Sequence, residues 1–225
     1  MTPQRSQRGL SMVELLVGVA IALFAAAAGA TLLAGHLREH RALLLEARLM
    51  QDLRSTADLV TRDLRRAGHW GAASDGVWSV GASGVAANPY LALTPATAAS
   101  DAVSFRYSRD ATENNSVDAN EQFGFRLRNG AIELQLGAGN WQALTDTASL
   151  TITQFSVTPT VQDISLEGFC ATPCPAGSAS CPPHQQVRSL AVVLGGRLVA
   201  DPAVTRSVRS EVRLRNDTVV GACAG

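Results

Sequence analysis

The chain has 225 residues, of which 46 % are hydrophobic, as is typical of globular proteins. Its 19 basic residues equal its 19 acidic residues, so the net charge supplies no basic field that would attract nucleic acid. About 160 residues remain beyond the N-terminal helix predicted below, enough for one domain with its own core.

The first predicted element is an apolar helix. From Leu15 to Gly35 the chain carries no charged residue, and at ~1.5 Å per residue this run can cross a bilayer core of ~30 Å. One acid, Glu14, stands at its entrance, where an unpaired carboxylate costs roughly 2–3 kcal/mol. Arg5 and Arg8 precede the run and favour a cytoplasmic N-terminus. We therefore predict a transmembrane segment over residues 15–35, with the remainder of the chain on the far side of the membrane.

A cleaved secretory signal peptide is the alternative interpretation of this segment. The small residues from Ala25 to Ala30 would supply its cleavage site. Against it, Glu14 lies inside what would be the apolar region. The apolar residues also continue past the alanines into a helix without a break, which favours an anchor that is retained.

The predicted helix continues beyond the membrane span. Apolar residues recur three or four positions apart between Leu43 and Ala67, which predicts one buried stripe. The stripe comprises Met50, Leu53, Ala57, Val60, Leu64 and Ala67. It lasts under three heptads, so packing against the chain's own domain is favoured over a coiled coil. We predict one helix from about Ser11 to Arg66, stopped by Gly68.

His36 and His40 stand four positions apart on this helix, just beyond the span. Such a pair can bind zinc, but no third ligand is evident nearby. We interpret the two histidines as polar residues at the membrane surface.

The segment after Gly68 is predicted to be rich in loops, with a short strand candidate at Val77–Val80. Period-two alternation then begins, and Asn129-Gly130 separates two alternating runs, which predicts a hairpin with a type I′ turn. The remaining strand candidates are Leu150–Thr158, Val187–Leu194 and a last strand with Val204, Val208, Val212 and Leu214 on one face. The fold class is therefore predicted to be α+β, a long helix followed by an antiparallel sheet.

The N-terminus resembles a known processing signal. Gly9 followed by Leu10-Ser11-Met12-Val13-Glu14 is similar to the class III leader of type IV pilins and type II secretion pseudopilins. The resemblance implies that prepilin peptidase removes residues 1–9 and methylates the new N-terminus at Leu10. It makes Glu14 the fifth residue of the mature chain, where its carboxylate would pair with an N-terminal amine during assembly. Leu10 departs from the usual phenylalanine, and the helix lacks the proline found in many major pilins.

Later segments extend the resemblance over most of the chain. The segments similar to PilW-type minor pilins are RDLRRAGHWG from Arg62, NEQFGFRLRNGAIELQL, WQALTD from Trp141 and VRLRND from Val212. GspJ-type pseudopilins share the helix and the late strands. The implied organisation is a leader over residues 1–9, a helix over residues 10–66 and a periplasmic or extracellular β-rich domain over residues 67–225.

The resemblance implies a structural role without cofactors. A minor pilin takes part in the assembly or priming of a type IV pilus and in pilus-dependent adhesion or twitching motility. Its implied partners are other minor and major pilins, prepilin peptidase and the assembly platform in the inner membrane of a Gram-negative bacterium. The protein would wait in that membrane and then move to the pilus. The alternatives are a GspJ-like pseudopilin of a type II secretion system, or a membrane-tethered periplasmic binding or adhesin domain.

Four cysteines lie in the last quarter of the chain: Cys170, Cys174, Cys181 and Cys223. Outside the cytoplasm they are predicted to form disulfides, with three connectivities open. If strands 187–194 and 206–214 pair antiparallel, the tail returns to the cysteine-containing loop, so we favour a bridge between that loop and Cys223. Zinc held by three of the cysteines and His184 is the alternative, but its spacing matches no known zinc ribbon.

Motifs of the common enzymes are missing from the sequence. It contains no Gly-x-Ser-x-Gly elbow, phosphate loop or dinucleotide fingerprint, and His69 and His184 have no partner at a diagnostic spacing. One loop carries oxygen ligands of the kind that calcium prefers. Its residues are Asp110, Glu113, Asn114, Asn115, Asp118, Asn120 and Glu121. Their spacing differs from that of an EF-hand, so a solvated turn is favoured over a calcium site.

Overall fold

The computed structural model describes residues 11–76, 86–178 and 180–224. The chain divides into two compact units, Met1–Leu45 and Glu46–Gly225. The boundary between them falls inside the long helix, α1, which runs from Met12 to Leu64. The strand candidate at Val77–Val80 lies outside the described residues.

The C-terminal part of α1 buries one continuous stripe. Leu49, Leu53, Ala57, Val60 and Leu64 are each at most 1 % exposed. The stripe therefore passes through Leu49, whereas the predicted member Met50 is only half-buried at its edge. Two threonines share the stripe because their hydroxyls bond to carbonyl oxygens of the same helix, from Thr56 to Asp52 at 2.8 Å and from Thr61 to Asp58 at 3.2 Å.

The helix ends slightly before the predicted Arg66. Its last turn tightens into i→i+3 bonds, from Arg66 N to Asp63 O and from Ala67 N to Leu64 O, both 3.0 Å long. Gly68 follows with φ +74°, in the left-handed region where glycine is favoured. Its amide donates to the carbonyl of Arg106 at 2.8 Å, so the chain leaves the helix directly into contact with a strand.

The first sheet contains five antiparallel strands in chain order. They are β1 (Leu93–Thr94), β2 (Ala102–Arg106), β3 (Gln122–Arg128), β4 (Ala131–Leu136) and β5 (Trp141–Ala143). The hairpin predicted from Asn129-Gly130 is confirmed, with Arg128 opposite Ala131 in the register. Both turn residues have positive φ, 51° and 75°, as a type I′ turn requires.

The second sheet contains the longest strands of the protein. They are β6 (Leu150–Ser165), β7 (His184–Leu198) and β8 (Thr205–Arg213), with β9 (Thr218–Val220) pairing the start of β7. β6 and β7 extend beyond the predicted strands because they pair along their whole length, from Leu150 opposite Leu198 to Ser165 opposite His184. β7 and β8 pair antiparallel, which is the condition on which a bridge between Cys223 and the cysteine-containing loop was favoured.

The α+β class is confirmed, with two sheets where one was predicted. The core contains side chains from both sheets and from the C-terminal part of α1, among them the fully buried Phe125, Leu190 and Leu53. Within the described ranges, the connections contain the short 3₁₀ helices Ala73–Gly76, Ala119–Glu121 and Glu167–Phe169.

Candidate functional site

The N-terminal part of α1 leaves its apolar side chains exposed on every side. Those that are about half exposed or more are Met12, Val13, Leu15, Leu16, Val17, Val19, Ile21, Leu23, Phe24, Leu32, Leu33, Leu37, Leu43 and Leu44. Exposed apolar surface on this scale marks contact with a membrane or with another protein. Among the described residues, α1 alone is long and apolar enough to cross a bilayer, a test that signal sequences near an N-terminus also pass. By length and composition, the segment is able to cross a membrane.

Glu14 forms a reciprocal capping box at the start of this helix. The amide of Ser11 donates to Glu14 Oε2 at 3.2 Å, and the amide of Glu14 donates to Ser11 Oγ, also at 3.2 Å. Two of the amides that the first turn of a helix leaves unpaired are thereby satisfied. Sequence reasoning interpreted Glu14 only as a charge, although the Ser-x-x-Glu spacing was the available signal for a cap. Gly9 and Leu10, the predicted cleavage site, lie outside the described residues.

The capping box leaves Glu14 free for a further interaction. No described residue bonds to Oε1, and the carboxylate lies at the positive end of the helix dipole. The capping bonds thus hold this carboxylate at the entrance of an apolar segment. It can accept a bond from an amine approaching the helix end while Ser11 keeps its position.

The two histidines of the segment stay at the surface. His36 Nδ1 lies 3.9 Å from Glu39 Oε2, and both side chains are more than two-thirds exposed. In the described parts of the chain, no three His, Cys, Asp or Glu side chains are arranged to hold a metal ion. The pair of His36 and His40 therefore remains a two-ligand arrangement.

All four cysteines are bonded in the structure. Cys170 joins Cys223 across 53 positions, and Cys174 joins Cys181 across seven. The first bond ties the C-terminal tail to the loop between β6 and β7. Backbone bonds support this closure, among them one from Ala222 N to Ser180 O at 2.8 Å. No thiolate is left over for the alternative zinc site with His184.

The acidic loop is organised around a buried tyrosine. Tyr90 is fully buried, and its hydroxyl lies 2.9 Å from Glu113 Oε1. Burial and the bond to this carboxylate raise the pKa of the Tyr90 hydroxyl. Glu113 Oε2 also accepts the amide of Gly71, and Oε1 accepts that of Asn115, both at 2.9 Å. Burial alone would raise the pKa of Glu113, but bonds from Ser108, Asn115, Gly71 and Tyr90 outweigh it, so the pKa lies below its usual value.

The other oxygens of this loop are engaged in the same way. Glu121 is completely buried and accepts the amides of Arg109 and Asp118, both at 2.8 Å. Asn114 donates its amide to Asp110 at 3.2 Å and its side chain to Asp118 at 3.0 Å. Asn120 makes no side-chain hydrogen bond to any described residue. The loop thus uses most of its oxygens to satisfy backbone amides, a structural role that the sequence did not reveal.

The long N-terminal helix and the antiparallel sheets define an α+β protein with a pilin-like arrangement, whose helix is long and apolar enough to cross a membrane. A family model described as "Prepilin peptidase-dependent protein B" matches residues 42–214, and the chain belongs to this pilin-related family. The match begins beyond the leader-like motif and the apolar segment, so the globular unit supports the assignment independently of them. Searches of the curated proteins and of the solved structures returned no significant match.

Proposed function

We propose that this protein is a minor pilin, a structural subunit that takes part in assembling or priming a type IV pilus and in pilus-dependent adhesion or twitching. Prepilin peptidase would cleave it after Gly9 and methylate Leu10. The single observation that carries the proposal is an exposed apolar segment at the start of α1, with Glu14 at its entrance, joined to a globular unit of the prepilin peptidase-dependent family.

The proposal gives the exposed segment two successive environments. Before assembly, its apolar side chains would lie in the inner membrane, with the disulfide-bonded unit in the oxidising periplasm. During assembly, the same side chains would pack against those of other minor and major pilins. Glu14 would then meet the α-amino group of its own chain or of a neighbour at low dielectric, where opposite charges attract strongly. The assembly platform in the inner membrane would be a further partner.

Mass spectrometry of the protein purified from its native membrane tests the processing step. The expected mature chain begins at Leu10 and carries one N-terminal methyl group. An intact Met1, or a chain that begins after an alanine between Ala25 and Ala30, would overturn the proposal and support a tethered periplasmic domain. Processing in a strain without prepilin peptidase should fail, and an unchanged product in that strain would contradict the assignment.

A role in a type II secretion system is the alternative within the same family, because pseudopilins of the GspJ type share this organisation. Deletion of the gene distinguishes the two. A minor pilin is expected to reduce the number of surface pili while extracellular enzyme levels stay constant. A pseudopilin is expected to show the reverse pattern.

A further inference from the structure

Basic side chains line a cleft at the end of α1. The cleft has a volume of about 420 Å³. Its lining residues are Arg62, Arg65, Arg66, His69, Arg215 and Asn216. It lies wholly within the compact unit Glu46–Gly225, and none of the exposed apolar residues of the N-terminal segment contributes to it.

The positive charges of this cleft are unpaired within the described part of the chain. None of its four arginines has a carboxylate oxygen within 4.0 Å there, whereas Arg126, Arg206 and Arg213 all do. One acid, Asp63, stands close enough to Arg66 and Arg62 for their charges to act on it, although burial raises its pKa. A concave surface with several uncompensated charges of one sign concentrates the field and attracts multivalent anions.

The helix dipole alone does not explain why these arginines cluster at the end of α1. Cations in the last turn of a helix are stabilised by the helix dipole, which accounts for Arg62 and Arg65 separately. The helix dipole does not account for Arg215, because this residue follows the last long strand and is brought to the helix end by tertiary structure. The side chain of the adjacent Asn216 donates to Ala67 O at 3.0 Å across 149 positions of sequence.

The backbone that carries the cleft is held from three sides. Gly68 donates to the carbonyl of Arg106 at 2.8 Å and accepts the side-chain amide of Asn88 at 2.9 Å. Together with the bond between Asn216 and Ala67, these contacts fix the end of α1 against a strand, a loop and the segment that follows β8. The positively charged groups are therefore brought together before any ligand arrives, which lowers the entropy lost on binding.

One of the arginines is also oriented by aromatic stacking. The guanidinium of Arg66 lies 4.2 Å from the ring centre of Tyr107, and this ring is stacked on Phe123 with centroids 4.0 Å apart. Stacking uses the face of the guanidinium and leaves the N–H donors at its edge available. Arg66 can therefore bind an oxygen ligand without leaving the aromatic ring.

We propose that this cleft binds the phosphate group of a phosphorylated ligand. Phosphate carries more than one charge and presents several oxygens, each with two acceptor positions, so it can engage several guanidinium forks at once. A single carboxylate has only two oxygens and cannot serve four arginines. The volume exceeds what one phosphate fills, so the cleft has room for a further group, either the remainder of a soluble phosphate ester or a lipid headgroup.

Calorimetric titration of the full chain in a non-ionic detergent at low ionic strength tests the proposal. Pyrophosphate is the probe, and citrate is a carboxylate anion of comparable charge. Pyrophosphate is expected to bind at least about tenfold more tightly than citrate. One additional charge-assisted hydrogen bond lowers the dissociation constant by about this factor. Equal affinity for citrate, or no heat with pyrophosphate, would overturn the proposal.

Substitutions locate the binding. The variant with Arg65→Gln and Arg215→Gln is expected to weaken pyrophosphate binding by at least about tenfold, and the matched control is Arg209→Gln on the exposed face of β8. Arg62→Gln alone serves as a milder variant, and tryptophan fluorescence checks that each variant is folded. Equal losses in the cleft variants and in the control would contradict the assignment.

Two further ligands identify the source of the phosphate. Glycerol 3-phosphate represents a soluble monoester, and glycerophosphoglycerol represents the diester headgroup of phosphatidylglycerol. Tighter binding of the monoester supports a soluble ligand, and tighter binding of the diester supports a lipid. If neither ligand binds and pyrophosphate also fails to bind, the cleft is not a phosphate-binding site.

Discussion

Arg206 of β8 donates through Nε to Glu46 Oε1 at 2.9 Å, and its Nη2 contacts the same oxygen. Glu46 is the first residue of the compact unit, so this pair fastens the start of the packed part of α1 to the last long strand. Both side chains are only partly buried.

A double-mutant cycle on Glu46→Gln and Arg206→Gln is expected to give a coupling energy of about 0.5–1 kcal/mol, because partly exposed ion pairs are screened by water. Urea unfolding followed by tryptophan fluorescence measures it, since Trp70 and Trp141 lie in this unit. Arg209→Gln, on the same strand and exposed, is the control and should change the unfolding free energy little. A coupling energy of zero would show that the pair does not stabilise the packing of α1 on the sheet.

Arg188 is expected to matter far more for stability. Its Nη1 donates to Leu91 O at 2.8 Å and its Nη2 to Asn216 O at 3.1 Å, so it joins β7 to a loop and to the segment after β8. Burial lowers the pKa of its guanidinium, and the charge of Asp217 acts in the opposite direction.

Substitution of Arg188 by methionine leaves two carbonyl oxygens without these donors, and the unfolding free energy should fall by about 2–4 kcal/mol. Arg197→Met, at an exposed position of the same strand, should stay within about 0.5 kcal/mol of the unmodified protein. Urea unfolding of both variants checks this. Similar values for the two would mean that the Arg188 bonds contribute nothing net.

The two disulfides should differ in their effect. In the chain-entropy account, closing a loop of 53 positions stabilises a fold by about 4 kcal/mol. A loop of seven positions gives only about 2 kcal/mol by the same account. Replacing Cys170 and Cys223 by serine should therefore lower the unfolding free energy more than replacing Cys174 and Cys181. Limited proteolysis should also trim the C-terminal tail only in the first variant, and equal trimming in both would contradict this assignment of roles.

The lowered pKa of Glu113 predicts that the stability of the fold decreases in acid. Its pKa is lower in the folded chain than in the unfolded chain, where it is about 4.3. Its contribution to stability is therefore complete above about pH 4.3 and is lost as the pH falls toward the folded pKa. Glu113→Gln should reduce the unfolding free energy at neutral pH by about 1 kcal/mol, and the difference from the unmodified protein should shrink in acid. Glu211→Gln, exposed on β8, is the control, and a pH-independent difference for Glu113→Gln would contradict the argument.

Local patterns explain which parts of this structure could be predicted. The turn at Asn129-Gly130 needs two residues that tolerate positive φ, and the sequence shows both. The buried stripe of α1 was predicted with an error of one position, at Met50 and Leu49, because a period of 3.6 leaves the edge of a face ambiguous. The split into two sheets was missed, since nothing local shows which strands pair across a long loop.

The same reasoning applies to the sites. Gly9 and Leu10 are predicted to form a cleavage site from their resemblance to a processing signal, which is a contiguous motif, and they lie outside the described residues. The basic cleft at the end of α1 had no such signal, because Arg66 and Arg215 come together only through tertiary contacts. The net charge of zero also conceals this local cluster of positive charge. Likewise, nothing local in the sequence shows that Glu113 and Glu121 lie against the Tyr90 hydroxyl.

Glu14 has two functions to separate, its cap on the helix and its charge. Ser11→Ala removes the hydroxyl that caps the Glu14 amide and should cost about 1 kcal/mol of helix stability at that end, while the carboxylate keeps its charge. Glu14→Gln keeps the shape of the capping side chain and removes the charge. Glu14→Ala removes both. All three variants should still insert in the membrane, because the apolar run from Leu15 to Gly35 is unchanged.

Incorporation into sheared filaments, compared with the amount in the membrane fraction by immunoblot, discriminates between the two functions. If Glu14 pairs with an amine during assembly, the Gln and Ala variants should both enter filaments poorly, and Ser11→Ala should enter nearly as well as the unmodified chain. A strong loss in Ser11→Ala with normal incorporation of Glu14→Gln would show that the cap, and not the charge, is what assembly requires.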